Sequence, residues 1–328
     1  MKKRSLISIL LILGLLMAGC ADNEAGQPAM VEELPIEQET TDVSKDAPIE
    51  NEAAQNGEIK SDDEAALYET KKEPYEEVDV EVEGDKGVIT VGTTGTPYTE
   101  LLTQAKIQLA KDGWDVQIEK YDDYQKINED VLNGTLDAHL FAHQTYIDSY
   151  NDVNGTNLVS IDKISYEVYG IYSALNQDLT KISSGVAIGI PQDATRKARA
   201  LLFMQDIGWI TLKEEVGITA ILDDITENPK NLQFKEYTQD TISQVMNETE
   251  YCVIGADMAI MAGLDVEEGV LKTETDSCDS TNAFVSLLIT TEENMQEEKI
   301  KVLSAALKSA QTKTYVEETY RGALAVYK

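Results

Sequence analysis

The chain has 328 residues and a formal net charge of −33, so it is long enough for about two domains and is strongly acidic. This acidity argues against binding to nucleic acid and against electrostatic attachment to anionic lipid, because both of those partners are negatively charged. Two of the three cysteines, Cys252 and Cys278, lie late in the chain. The sequence leaves open whether they form a disulfide or stay as free thiols.

Residues 1–20 have the layout of a secretory signal, in which basic residues precede an apolar run. The run from Leu6 to Met17 is too short to span a membrane. The small residues Ala18 and Gly19 directly precede Cys20, as in a bacterial lipobox. We therefore expect Cys20 to be acylated and to anchor an extracytoplasmic protein to the cell membrane. A plain signal peptide followed by an incidental cysteine is the alternative.

The segment 21–85 holds 22 acidic residues and four lysines, few apolar residues and no hydrophobic period. This composition is typical of a disordered linker, because such a segment cannot bury enough apolar surface to fold. A flexible chain of roughly 65 residues spans about 45 Å on average. We expect it to hold the folded part clear of the membrane.

From residue 86 onward, strand-like and helix-like patterns alternate. Strands are predicted at 88–92, 116–118, 138–141, 165–173, 186–190, 232–237, 252–255 and 284–290, with helices between them and two helices closing the chain. Repeated βα units predict mixed, mainly parallel sheets that are covered on both faces. We expect two lobes, residues 86–172 plus 283–328 and residues 173–282.

The clearest βα unit runs from Val186 to Gln205. An apolar strand ends at Pro191, and Asp193 is a suitable N-cap for the helix that follows. Ligands collect at such junctions, because free N–H groups and the helix dipole favour negative charge. The planar guanidinium of Arg199 would donate two parallel hydrogen bonds to a carboxylate. A solvated helix face formed by Arg196, Lys197 and Arg199 is the alternative.

A second strand-to-helix junction contains Phe141, His143 and Tyr146. The chain's only histidines, His139 and His143, are four residues apart, which raises the possibility of a metal site. They are assigned to a strand and to a helix start, and no cysteine or carboxylate cluster completes a coordination sphere. The pattern therefore favours an aromatic patch with a polar imidazole, with no metal and no cofactor.

Five segments that follow one another in the chain carry a resemblance to one known family. They are Asp137–Tyr146 (DAHLFAHQTY, against DAN-x-FQHKPY), Glu167–Ser173 (EVYGIYS, against EPMGLYS), Asp193–Leu201 (DATRKARAL, against D-x-TN-x-x-RAL), Asp224–Leu232 (DITENPKNL, unchanged) and Tyr320–Ala323 (YRGA, against YKGA). From about Val88 to the end, the chain resembles the NlpA/MetQ family of lipoproteins, the methionine-binding components of ABC importers. The resemblance implies a type II periplasmic-binding-protein fold, a monomer that binds an amino acid or small peptide between two lobes, and an ABC permease and ATPase as partners.

The resemblance also implies a set of ligand-binding residues. Phe141, His143 and Tyr146 would line the side-chain pocket, Glu167 would face the ligand's ammonium, Arg199 would bind its carboxylate, and Tyr169, Arg196, Gly255 and Ser286 would complete the site. Three of these positions depart from the family, because Arg196, Gly255 and Ser286 replace asparagines that grip the amino-acid backbone. The sequence therefore leaves open a ligand other than methionine, and Arg196 would favour a ligand that carries an additional negative group.

Two other classes of function were weighed. An enzyme would need a nucleophile beside a base, or a metal, and His143 has no evident serine or cysteine partner. A surface lipoprotein that binds no ligand and acts in adhesion is the alternative to a solute-binding protein, because function depends on the site and not on the fold.

Overall fold

The computed structural model describes residues 78–175 and 178–328. The predicted signal, Cys20 and the predicted linker up to residue 77 lie outside these residues. The strands are β1 (Gly87–Thr93), β2 (Trp114–Lys120), β3 (Ala138–Leu140), β4 (Leu158–Glu167), β5 (Tyr169–Tyr172), β6 (Ala187–Pro191), β7 (Thr211–Leu212), β8 (Ile225–Glu227), β9 (Gln233–Tyr237), β10 (Tyr251–Gly255), β11 (Val270–Thr273), β12 (Ser286–Thr291) and β13 (Leu324–Val326). The α-helices are α1 (Tyr98–Lys111), α2 (Tyr124–Leu132), α3 (Gln144–Asn154), α4 (Ala194–Asp206), α5 (Ile242–Glu248), α6 (Ala256–Met261), α7 (Asp279–Phe284), α8 (Glu298–Leu307) and α9 (Ala310–Tyr320).

The first large sheet has six strands in the order β13-β4-β12-β3-β1-β2. β1 pairs in parallel with β2 and β3, whereas β12 pairs antiparallel with β3 and β4, and β13 pairs antiparallel with β4. Helix α1 covers this sheet because Leu101, Leu102, Ala105 and Leu109 recur at helical spacing and are buried against it.

The second large sheet has five strands in the order β11-β5-β10-β6-β9. β6 pairs in parallel with β9 and β10, and β5 pairs antiparallel with β10 and β11. Helix α4 packs on it through the buried residues Ala198, Leu201 and Leu202. Both large sheets are mixed, and parallel pairing is confined to β2-β1-β3 and to β9-β6-β10.

The predicted single strand from Ser165 to Ser173 is wrong, because the chain changes sheet at Val168. β4 ends just before this residue in the six-stranded sheet, and β5 begins just after it in the five-stranded sheet. The N–H of Val168 donates to the carbonyl of Ala323 over 2.9 Å, and its carbonyl accepts from the N–H of Ala256 over 3.0 Å. The strand-like pattern of residues 165–173 is continuous in the sequence, and it does not show which sheet each residue joins.

The chain returns to the first sheet through residues 274–285, here called the return segment. The predicted strand from Phe284 is wrong at its start, because Phe284 is the last residue of α7 and β12 begins at Ser286. The carboxylate of Asp206, at the end of α4, accepts from the N–H groups of Asp279 and Ser280, each over 3.0 Å. This contact caps α7 from a distant part of the chain.

The return segment also contacts the first sheet. The hydroxyl of Tyr166 donates to Asp276 over 3.0 Å, and the hydroxyl of Tyr327 donates to the side-chain oxygen of Asn282 over 2.7 Å. Strand β13, which was missed in the sequence, lies just before Tyr327. The return segment is therefore hydrogen bonded to both halves of the fold.

Cys252 and Cys278 are both free thiols, the first buried and the second partly exposed. Burial raises the pKa of Cys252 to about 11. In the part of the chain that the structure describes, no helix combines the length and the apolar character that a membrane crossing requires.

Candidate functional site

The predicted ligand-binding residues come from the ends of strands in both large sheets. Glu167 ends β4, Gly255 ends β10 and Ser286 begins β12, while Arg196 and Arg199 lie on the first turns of α4. Asp193 is the N-cap of α4 as predicted, since its side chain accepts from the N–H of Arg196 over 2.9 Å.

Arg199 is buried, with 6% of its surface exposed, so it does not lie on a solvated helix face. Its Nε donates to Glu274 Oε1 over 3.2 Å and its Nη2 donates to Glu274 Oε2 over 2.7 Å. Nη2 also donates to the backbone carbonyl of Glu167 over 2.5 Å. Burial opposes the charge, yet the Glu274 carboxylate raises the pKa of Arg199 above its usual value.

Two aromatic rings hold the Arg199 guanidinium in place. Its central carbon lies 4.5 Å from the ring centre of Tyr169 and 5.5 Å from that of Phe284. The Nη1 group of Arg199 has no hydrogen-bond partner among the described residues. Nε and Nη2 of Arg199 are therefore held by the protein, and Nη1 alone is left without a partner in the described part of the chain.

Arg196 forms an ion pair with Asp257, with 2.7 Å between Nη2 and Oδ2, and about a third of each side chain is exposed. Asp257 therefore balances the charge of Arg196. The expectation that Arg196 favours an added negative group on the ligand loses its basis, because the protein supplies the counter-ion. The Nη1 group of Arg196 is buried and has no hydrogen-bond partner in the described part of the chain.

Glu167 lies beside this ion pair, and its Oε1 accepts from the N–H of Asp257 over 3.2 Å. Burial and the negative charge of Asp257 raise the pKa of Glu167 to about 8, although Arg199 acts in the opposite direction. Burial and Asp257 therefore favour the protonated form of Glu167 compared with a solvent-exposed carboxyl.

Gly255 allows Glu167 to take this position. A Cβ added at Gly255 would lie 2.5 Å from Glu167 Oε1, 2.9 Å from a ring carbon of Tyr169 and 3.0 Å from Asp257 Oδ1. A side chain at position 255 would therefore have to displace the Glu167 carboxyl.

Ser286 is buried, and its Oγ donates to the hydroxyl of Tyr98 over 3.0 Å. Both residues line a cavity of about 370 Å³ that also includes Ser165, Glu167 and Asp257. The cavity therefore joins the ends of β4 and β12 to the start of α6.

Phe141, His143 and Tyr146 lie together, as predicted for an aromatic pocket. The ring of Phe141 lies 5.3 Å from that of Tyr124 and 5.8 Å from that of Tyr146. The ring of His143 lies 6.1 Å from that of Phe284, which sits on the return segment. Phe284 therefore extends the aromatic group towards Arg199.

The two histidines have separate roles. His143 is the N-cap of α3, where its Nδ1 accepts from the N–H of Tyr146 over 3.3 Å, and burial lowers its pKa. His139 is fully buried in β3, packs 4.7 Å from the ring of Phe141, and has its pKa lowered by burial to about 3. Within residues 78–175 and 178–328, no group of three His, Cys, Asp or Glu side chains is arranged to hold a metal ion.

Sequence reasoning missed four residues of the site, namely Tyr98, Asp257, Glu274 and Phe284. Glu274 and Asp257 are two of 60 acidic residues in the chain, and their arginine partners lie 75 and 61 residues away. Only the burial of Arg199, whose charge needs a counter-ion, would have indicated that a partner such as Glu274 exists.

A family model for the NlpA lipoprotein matches residues 89–326. The chain belongs to the NlpA lipoprotein family. Among relatives of this NlpA protein is the methionine-binding lipoprotein MetQ of Bacillus subtilis, 27% identical over 74% of this chain and 89% of that protein.

Solved structures give the same result for the fold. A YaeC-family lipoprotein from Enterococcus faecalis is 26% identical, with a TM-score of 0.60 over 74% of this chain and 99% of its own. A nutrient-binding protein from Burkholderia cenocepacia, solved with methionine bound, is 27% identical, with a TM-score of 0.52 over 73% of this chain and 100% of its own. The chain has the two-lobed substrate-binding fold that its sequence predicts.

The NlpA family consists of substrate-binding proteins and not of enzymes. A solute-binding role for this chain follows from its membership.

Proposed function

We propose that this NlpA protein is the extracytoplasmic solute-binding component of an ABC importer. In this proposal it is a monomer, is anchored to the membrane by acyl groups on Cys20, and passes its solute to an ABC permease and ATPase complex. Its solute is methionine, a related amino acid or a small peptide, bound between the two lobes. The methionine bound to the Burkholderia relative and the name of the Bacillus relative support this ligand class.

The observation that carries the proposal is the position of Arg199. Glu274 and the Glu167 carbonyl hold Nε and Nη2 of its guanidinium, and Nη1 has no partner among the described residues. Phe284 connects Arg199 to the aromatic group around Phe141. A ligand with a carboxylate and an apolar side chain would match this arrangement, because a charged donor and an aromatic pocket lie side by side.

The test is to purify the full-length protein, to dialyse it against mixed amino acids and small peptides, and to identify retained solutes by mass spectrometry. We expect one solute class with a free carboxylate to be retained. Arg199→Lys keeps a positive charge near Glu274 but loses the planar fork, so it should weaken binding by about tenfold or more.

The matched control is Lys197→Gln on the same helix, since Lys197 pairs with Glu236 and lies outside the site. Its affinity should equal that of the unmodified protein. Equal affinities for Arg199→Lys and the unmodified protein would contradict the role of Arg199.

The second candidate function is a surface lipoprotein whose cleft binds no solute and which acts in adhesion. The observation that favours it is that both arginines of the site already have internal counter-ions, Glu274 and Asp257. Absence of any retained solute in the dialysis experiment would support it over transport.

A further inference from the structure

The return segment is attached to the second half of the fold, the half that contains the five-stranded sheet. At its start, the N–H of Glu274 donates to the carbonyl of Tyr169 over 2.9 Å. Asp206, at the end of α4, caps α7. Phe284 packs against the core of the second half, whereas the next residue, Val285, is buried in the core of the first half. The chain therefore crosses between the halves after Phe284, and α7 lies with the second half.

Polar contacts also tie the return segment to the first half, which contains the six-stranded sheet. The hydroxyl of Tyr166 on β4 donates to Asp276 Oδ1 over 3.0 Å. The hydroxyl of Tyr327, just after β13, donates to Asn282 Oδ1 over 2.7 Å, and the Nζ of Lys163 donates to the same oxygen. These five residues are called the latch, with Asp276 and Asn282 on one side and Lys163, Tyr166 and Tyr327 on the other.

The first-half side of the latch is well ordered by its own contacts. The N–H of Tyr327 donates to the carbonyl of Ile164 over 2.8 Å, which fixes its backbone to β4. The ring of Tyr327 lies 6.4 Å from that of Tyr166 and 5.0 Å from the Nζ of Lys163. Burial and the Asp276 carboxylate raise the pKa of Tyr166, so its hydroxyl keeps its proton and acts as a donor.

The latch cannot stay intact when the angle between the two halves changes. A shift of about 1 Å takes a hydrogen bond of this length out of range. The attachment of the return segment to the second half includes the buried two-point ion pair of Glu274 with Arg199, which is costly to break. The segment would therefore stay with the second half, and Asp276 and Asn282 would separate from their partners.

We propose that the latch is a conformational device that holds the two halves in the arrangement of this structure and that opens when they rotate apart. The return segment acts as a strap: its attachment to the second half is permanent, and its attachment to the first half is the one that yields. The proposal goes beyond the proposed function and does not depend on it, because the latch acts in the protein without solute.

The test measures the distance between the two halves in the full-length protein without added solute. Spin labels are placed on cysteines at two exposed positions, Val153→Cys on α3 in the first half and Glu214→Cys in the second half. The background carries Cys20→Ala and Cys278→Ser, so that these thiols take no label, and Cys252 is buried. Double electron–electron resonance then gives the distribution of distances between the labels.

The protein with an intact latch should give one narrow distribution of distances. The double change Tyr166→Phe and Tyr327→Phe removes both hydroxyls with little change of shape. It should raise the population at other distances by about tenfold or more, because each lost hydrogen bond shifts the equilibrium by about fivefold. Identical distributions in this variant and in the protein with an intact latch would overturn the proposal.

Asp276→Ala tests the latch from its other side, since it removes the acceptor of the Tyr166 hydroxyl. It should broaden the distribution in the same way, and circular dichroism checks that each variant is folded. Asp276 is only partly buried, so this variant decides the question if the double tyrosine variant does not fold. A folded Asp276→Ala protein with the narrow distribution would contradict the latch.

The matched control is Tyr121→Phe, the same chemical change at a hydroxyl that donates to a carboxylate within the first half. The hydroxyl of Tyr121 donates to Asp130 over 2.8 Å. Its loss should leave the distribution narrow, because no bond between the halves is removed. Equal broadening in Tyr121→Phe and in the double tyrosine variant would show general loosening of the protein and would overturn the proposal.

Discussion

Arg199 and Glu274 form a two-point ion pair in which Nε and Nη2 of the guanidinium donate to separate oxygens of one carboxylate. Both side chains are buried, with 7% and 0% of their surface exposed. The pair joins α4 to the start of the return segment. Glu274 thus orients the arginine that is proposed to bind the ligand's carboxylate.

Replacing Glu274 by glutamine should destabilise the protein strongly. The change leaves the Arg199 charge buried without a counter-ion, and breaking one partner of a buried pair costs about 3–5 kcal/mol. Urea unfolding followed by circular dichroism measures the free energy of unfolding. The exposed change Glu214→Gln is the control and should leave the midpoint unchanged; a Glu274→Gln midpoint equal to the control's would show that the pair is not stabilising.

The affinity for an amino acid should rise with pH up to about pH 8. Burial and the nearby Asp257 charge raise the pKa of Glu167 to about 8. A ligand ammonium binds the ionised carboxylate and lowers that pKa, so binding releases a proton at lower pH. The expected slope is up to tenfold in affinity per pH unit below pH 8, levelling off above it.

Calorimetry with methionine, or with the solute that dialysis identifies, at pH 6, 7 and 8 measures this slope. Repeating it in buffers with different enthalpies of ionisation counts the proton that is released. Glu167→Gln cannot ionise and should bind more weakly, with no slope. A slope that persists in this variant would assign the titration to another group.

Adding a side chain at Gly255 should destabilise the protein, and Glu167 should account for part of the cost. The added Cβ would lie within 3.0 Å of Glu167, Tyr169 and Asp257. Overpacking of this kind costs about 1–3 kcal/mol. Gly255→Ala should therefore lose less stability in a Glu167→Ala background, because one of the three close contacts is absent.

A double-mutant cycle by urea unfolding gives this coupling energy. Equal losses in the two backgrounds would mean that Glu167 moves aside at no cost. The result also applies to Gly255→Asn, which would introduce the asparagine that the family resemblance implies at this position. That side chain would first have to displace Glu167.

Cys20→Ala should release the protein from membranes into the soluble fraction. In the described residues no helix is suited to crossing a bilayer, and the acyl groups proposed on Cys20 would supply the attachment. Fractionation of cells followed by immunoblotting measures the distribution. Persistence of the Cys20→Ala protein in the membrane fraction would require another attachment.

The sequence predicted those parts of the fold that depend on neighbouring residues. Asp193 caps α4 and β6 ends at Pro191, as the residues of that junction indicate. The misses depend on distant partners. Helix α7 has the polar sequence DSTNAF and is capped by Asp206, which is 73 residues before Asp279. No local pattern contains that information.

Dependence on residues that are distant in the chain also explains why the sequence did not predict every contact of the site. Arg199 and the aromatic group follow from motifs at two strand-to-helix junctions, and the structure places them near each other through Phe284. The pairing of Arg196 with Asp257, and the position of Glu167 in front of Gly255, arise only when the ends of β4 and β10 meet. Charge balance at this site is a property of the assembled sheets.

A rotation of the two halves of the fold about Val168 would leave both backbone hydrogen bonds of this residue in place. Its N–H belongs to the peptide plane shared with Glu167 and is bonded to Ala323, whereas its carbonyl belongs to the plane shared with Tyr169 and is bonded to Ala256. Changes in φ and ψ at Val168 turn one plane relative to the other, and each plane keeps its own bond. Resistance to a rotation of the two halves about Val168 must therefore come from side-chain contacts and from the torsional preference of the backbone. Val168 is β-branched, which restricts its torsion angles.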